Sequence, residues 1–213
     1  MRAATQEPSD WVDGFLFVAN RPILDLLNTK PVLAQGLMEL LPDTQALERW
    51  LIASGIASSA KTKSLMRSWR HSPEAALFLK DLIAFRERLR DAVLQIEGGS
   101  TPPDEFIHEV NAGLAKHPPI MALRRREGQI IREPLFEPKQ PIDLWAPILD
   151  AAADLLSEPE TGRLRKCEGC VLHFFDTSKK GSRRWCSMDL CGNKVKVAAY
   201  QRRKRESATT RWK

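Results

Sequence analysis

The sequence predicts a mainly α-helical body with a small β-hairpin element, followed by a compact cysteine-built module that ends in a helix. Three observations predict it. Apolar residues recur at helical spacing through most of the first 158 residues, Glu127-Gly128 separates two β-leaning runs, and all four cysteines fall in the last quarter of the 213-residue chain.

The elements follow in chain order. Phe15 to Val18 reads as a short buried strand, and Pro22 to Asn28 carries the apolar residues Ile23, Leu24, Leu26 and Leu27. Asp43 is placed to cap a helix with Leu47, Trp50 and Leu51 on one face and Gly55 as its stop. A second helix runs from Ser59, turning Leu65, Met66 and Trp69 inward. Ser72-Pro73-Glu74 supplies a cap, a proline at the first helical position and an early carboxylate for a long helix that Gly98-Gly99 ends. A shorter helix after Thr101-Pro102-Pro103 includes Phe106, Ile107, Val110 and Leu114, and Pro118-Pro119 breaks it. After the hairpin, the next helix holds Leu144, Ile148, Leu149, Leu155 and Leu156, with Pro147 tolerable only in its first turn.

A hydrophobic content of 43% is enough for a core. The longest apolar runs, of which Phe15 to Ala19 is one, are far too short for a membrane helix, and the N-terminus lacks the apolar stretch of a secretory signal. A cytoplasmic protein is therefore expected. No nucleophile–base constellation, phosphate loop or carboxylate pair stands out, so an enzyme is not. Charge is divided unevenly. Of 33 basic and 27 acidic residues, 15 and 5 lie from Pro159 onward, a balance of +10 beside −4 in the rest. An acidic body with a basic end suits a regulatory domain joined to a polyanion-binding one.

The cysteines read Cys167-x2-Cys170, fifteen residues, then Cys186-x4-Cys191. A two-residue spacer bends the backbone into a knuckle that aims both sulfurs at one point, and two such pairs make the tetrahedron that structural zinc prefers. One zinc per chain is expected, with four thiolates leaving no open position for catalysis. Leu172 to Phe175 reads as a strand, Lys179 to Ser182 as a turn and Arg183 to Trp185 as the returning strand. Knuckle, hairpin and helix is the order of a treble-clef finger. The boundaries are 10–158 for the body, 159–206 for the finger and 207–213 for a tail, and the finger should be separable from the body.

In the final helix Val195, Ala198 and Ala199 recur at a spacing that can dock on the knuckle. Lys194, Lys196, Arg202, Arg203, Lys204 and Arg205 are left for solvent or phosphate, and Arg183 and Arg184 add charge nearby. Guanidinium forks suit phosphates and guanine edges, which makes double-stranded DNA the leading partner. A zinc-stapled protein- or RNA-binding module is the alternative, because Phe174, Phe175 and Trp185 could stack on unpaired bases.

The string RKCEGCVLHFFDTSKKGSRRWCSMDLCGNKVKVAAY resembles the bacterial CGNR zinc-finger family. WVDGFLFVANRPILDLLNT, ELLPD and REPLFEP resemble the ABATE domain that precedes that finger, so the resemblance covers nearly the whole chain. It implies a stress-induced transcriptional regulator that binds DNA. The family's metal ligands fall on Cys167, Cys170, Cys186 and Cys191, and its naming motif on Cys191, Gly192, Asn193 and Lys194, where the family has arginine in the last position. Lysine keeps the charge and loses the planar fork. Gly192 would let the backbone approach the metal, and Asn193 would donate to a cysteine sulfur. In the body, Asp25, Asn28 and Thr29 stand among apolar residues. They either line a pocket for a small-molecule effector or, more commonly for such residues, cap a helix and satisfy loop backbone.

Overall fold

The computed structural model describes residues 10–33 and 36–210, with the side chains of residue 33 and of residues 205–210 left undescribed. Asp13-Gly14 takes left-handed dihedrals, φ 51° and 81°, and folds Trp11–Val12 (β1) antiparallel onto Phe15–Leu16 (β2). Pro22–Leu27 (α1) starts on its proline. Val32–Leu33 (β3) pairs with Gly36–Leu37 (β4). Three helices begin where the sequence offers a cap: Thr44–Ala53 (α2), Ala60–Trp69 (α3) and Pro73–Glu97 (α4). Asp43, Ser59 and Ser72 accept from the N–H groups of Ala46, Thr62 and Ala75. Asp104–Lys116 (α5) leads to the hairpin of Ile120–Arg126 (β5) and Gln129–Leu135 (β6), turned by Glu127-Gly128 at φ 52° and 82°. Trp145–Leu156 (α6) accommodates Pro147 in its first turn, where no N–H is needed.

The core is built around α4. Its Leu82, Phe85, Leu89, Ala92 and Val93 are buried, with α1, α2, α5 and α6 among the helices around them. Phe85 meets Phe106 and Trp145 at ring distances of 5.4 and 5.5 Å. The fully buried Arg86 is held by Glu39, Glu87 and the Thr29 hydroxyl, which ties α4 to the chain after α1. The hairpin β5–β6 stands largely off this core, leaving Leu123 and Ile130 exposed.

Beyond α6 the chain forms Leu164–Lys166 (β7), antiparallel to His173–Phe175 (β8), then a π turn at Met188–Gly192 and Asn193–Thr210 (α7). The expected hairpin is present with a different partner. β8 pairs with β7, across the knuckle, and residues 183–185 form no strand. The backbone there is used otherwise: the Arg183 N–H donates to Asp176 at 2.8 Å, and the Arg184 carbonyl accepts from the Glu168 N–H at 3.0 Å. Helix α7 carries the backbone through Thr210 into the expected tail, whose residues 211–213 lie outside the described residues.

The finger is docked rather than tethered. The outer edge of β8 is completed by the body: Phe175 N–H donates to the Ala19 carbonyl at 2.8 Å, and the Asn20 amide donates to the Phe175 carbonyl at 2.9 Å. Asn28 stands in for a neighbouring strand, donating to the His173 carbonyl at 2.8 Å and accepting from the His173 N–H at 3.0 Å. Leu164 and Phe175 join the main core, whereas Leu16 and Val18 of the body pack among Cys167, Leu172, Phe174 and Cys186. These contacts across the 158/159 boundary run against the expectation of a separable finger.

Candidate zinc centre and nucleic-acid interface

Strand β7 delivers Cys167, the turn before β8 carries Cys170, and the chain returns with Cys186 and Cys191, the latter on the π turn. All four Sγ atoms lie within 4.8 Å of one another, and none is in a disulfide. Cys186 Sγ is 3.8 Å from both Cys170 Sγ and Cys191 Sγ. A tetrahedron with metal–sulfur bonds of about 2.3 Å has edges of about 3.8 Å, so the cage has the dimensions of a zinc site. The protons in this cage are unevenly shared. Hydrogen bonds from its neighbours drive the Cys167 thiol far down, and hydrogen bonding to Cys167 pushes Cys170 up to about 12 and Cys186 further up. A divalent cation removes that conflict by neutralising the thiolates together. The four cysteines therefore form one structural zinc centre.

The surrounding loop is ordered by groups that sequence reasoning misses. Asp176, fully buried, accepts from the N–H groups of Ser178 at 2.9 Å and Arg183 at 2.8 Å. Arg163 bridges the carbonyls of Asp176 and Ser178 at 3.0 and 2.9 Å, and Arg165 reaches the Gly181 carbonyl at 2.7 Å. Ser187 caps the π turn through Asp189 N–H and Leu190 N–H and donates to Asp10. A carboxylate followed two residues later by a serine, as in Asp176-Thr177-Ser178, was the available signal for the first of these.

The naming motif plays different parts from those expected. Asn193 is exposed and donates to Asp189 at 3.5 Å rather than to a sulfur. A Cβ on Gly192 would fall 2.6 Å from Met188 Sδ and 3.3 Å from the Trp185 ring, so the glycine makes room for side chains. The glycine against the metal cage is Gly169, whose added Cβ would lie 3.1 Å from that of Cys191. His173 lies away from the sulfurs, with Nε2 3.2 Å from Glu97.

Arg183 is half-buried and committed to partners within the protein. Its Nε donates to the Trp185 carbonyl at 2.9 Å, its Nη2 to the carbonyls of Val18 (3.0 Å) and Cys186, and its guanidinium lies 4.3 Å from the Phe174 ring centre. Arg184 is exposed and forked onto Glu168, which keeps its guanidinium pKa raised. Lys194, Lys196, Arg202, Arg203 and Lys204 are all exposed along α7, with Lys196 5.9 Å from the Trp185 ring centre. The Arg205 side chain lies outside the described residues. The helix docks less than expected: Val195 approaches Gly169, whereas Ala198 is exposed and Ala199 only half-buried. Phe174 and Phe175 are buried, which leaves neither available as a stacking platform.

The three polar residues of the body are engaged by neighbouring backbone and side-chain groups. Asp25 accepts from the Ala19 N–H at 3.1 Å, Asn28 clasps β8, and Thr29 links the Leu26 carbonyl to Arg86. Burial pushes the Asp25 carboxyl up to about 7, against the lowering pull of the Ala19 and Val18 N–H groups.

A helical body carrying a structural four-cysteine zinc centre, from which a basic helix departs, defines a zinc-finger protein. The chain belongs to the ABATE family, described as "putative stress-induced transcription regulator", which residues 20–159 match, and residues 163–204 match the CGNR zinc finger. A search of curated proteins gave no match. Both families are of regulator and zinc-finger type rather than enzymes. Among the described residues no helix is long and apolar enough to cross a membrane.

Proposed function

We propose that this chain is a zinc-dependent, DNA-binding transcription regulator acting in the cytoplasm, with α7 as its duplex-binding element. The observation that carries the reading is the position of α7. It starts two residues after the last zinc ligand, is largely exposed, and presents Lys194, Lys196, Arg202, Arg203 and Lys204 to solvent. Eighteen residues span about 27 Å, and a helix about 10–12 Å across fits a major groove about 12 Å wide. Arg184 lies at the edge of this surface, and Arg183 holds the loop that supports it. Burial of Phe174 and Phe175 favours duplex DNA over stacking on single-stranded RNA.

Neutralising a phosphate releases counterions, so the slope of log K against log salt falls by about 0.9 for every phosphate left unneutralised. Arg202→Ala with Arg203→Ala should weaken binding to all duplex sequences alike and reduce the slope by roughly two, read by fluorescence anisotropy over a salt series. Unchanged affinity and slope would remove α7 from the interface. Lys194→Arg restores the planar fork at the start of the helix, and a gain of about 1–3 kcal/mol in discrimination at one base pair would mark that position as reading guanine.

A further inference from the structure

The body contains an open cleft of about 580 Å³ bounded by α1, the end of α2, the α5–β5 connection, the end of β6 and one face of α6. Its volume falls in the range of small-molecule sites. Most of its wall is apolar, provided by Ile23, Leu26, Trp50, Phe136, Pro147 and Ile148.

On this side α6 brings two carboxylates one turn apart, Asp150 in the wall and the exposed Asp154 at its edge. Asp150 is half-buried, and its carboxylate has no hydrogen bond or ion pair among the described residues. Burial raises its pKa, and the like charge of Asp154 raises it further. The other charges around the cleft do not supply it with a cation. Arg21 is paired with Glu158, Asp143 caps a turn through the N–H groups of Lys139 and Gln140, and Lys116 and Lys139 are exposed at the rim. His117 is half-buried on the α5–β5 side and has no ion pair with either aspartate among the described residues.

We propose that this cleft binds a small, largely apolar organic amine, its ammonium seated against Asp150 and Asp154 and its hydrocarbon body against Trp50 and the neighbouring aliphatic wall. The ligand replaces water in a largely apolar cleft and gives the half-buried Asp150 carboxylate a charge-assisted partner. Arg21 belongs both to this site and to the finger seam, lining the cleft while its guanidinium lies 4.5 Å from the Phe175 ring centre. The site stands independently of the DNA-binding reading.

The test uses the full-length, zinc-loaded chain without DNA and three compounds of one skeleton: 4-phenylbutylamine, 4-phenylbutanol and 4-phenylbutyrate. Isothermal titration calorimetry should show the amine binding about tenfold or more tighter than the alcohol, with the acid weakest. Asp150→Asn should abolish the amine's advantage and leave the alcohol's affinity unchanged. Ala151→Phe, which fills the cleft, should abolish binding of both, with circular dichroism verifying that each variant folds. Equal binding of the three compounds, tightest binding of the acid, no binding of the amine at millimolar concentration, or an amine preference that survives Asp150→Asn would each overturn the proposal.

Discussion

Replacing Asn28 by alanine removes the group that joins the body to the zinc-bearing strand without touching a cysteine. Its amide forms two hydrogen bonds with one residue, 2.8 Å to the His173 carbonyl and 3.0 Å from the His173 N–H, and both residues are 2% exposed. Alanine leaves both backbone groups of His173 buried without these partners. A buried polar group so stranded costs about 1–3 kcal/mol, and partial entry of water into the vacated space recovers some of it, so a loss of about 2–4 kcal/mol is expected. Urea denaturation followed by far-ultraviolet circular dichroism gives the stability. Zinc transfer to a chromogenic chelator gives the effect on the finger, and it should be faster in the variant because opening β8 exposes the knuckle. A stability within about 0.5 kcal/mol of the parent, with unchanged zinc transfer, would mean that the seam contributes nothing and that the finger stands alone.

Two further outcomes follow from the same structure. Cys186→Ser removes a zinc ligand, and structural zinc contributes on the order of 10 kcal/mol to its module, so the finger should unfold. Because Leu164 and Phe175 belong to the main core, amide-exchange protection should also fall at residues 15–20 of the body; full protection there would refute the shared packing. Asp25, with a folded pKa of about 7 against an ordinary 3.8, binds more protons in the folded state between those values. Stability therefore declines as pH rises through about 4 to 7 and gains nothing from this group above that window. Asp25→Asn retains an acceptor for the Ala19 N–H and should be more stable than the parent at pH 8 by about 1–3 kcal/mol, with little difference at pH 4; parallel urea midpoints across that range would contradict the assignment.

Much of this was legible in the sequence because it rests on local rules. Asp43, Ser59 and Ser72 cap the helices they precede, Pro147 sits in a first turn, and Glu127-Gly128 turns its hairpin with positive φ at both residues. The four ligands were readable from spacing because two-residue knuckles carry their own geometry. The β1–β2 hairpin was missed although Asp13-Gly14 is a strong turn signal, because Phe15 to Val18 read as a single strand. What no local rule reaches is the use of Asn28, 145 residues from its partner, as a substitute strand, and of Arg183 as an internal strut 165 residues from Val18. An exposed arginine bound for phosphate and a half-buried one holding carbonyls have the same sequence; only the neighbouring Phe174 ring and the Val18 carbonyl distinguish them.

The seam also orders events in time. On a ribosome the helices of the body emerge before β8, and residues 15–29 are left with an unsatisfied edge until the last quarter of the chain appears. Contacts between such distant stretches form late and slowly. The body therefore completes its surface only when the cysteine-bearing segment arrives, which makes metal capture a closing step in the maturation of the entire chain. For the same reason, grafting this finger onto another protein would require residues 10–29 to travel with it, since Trp11, Leu16 and Val18, at the opposite end of the polypeptide, complete its packing.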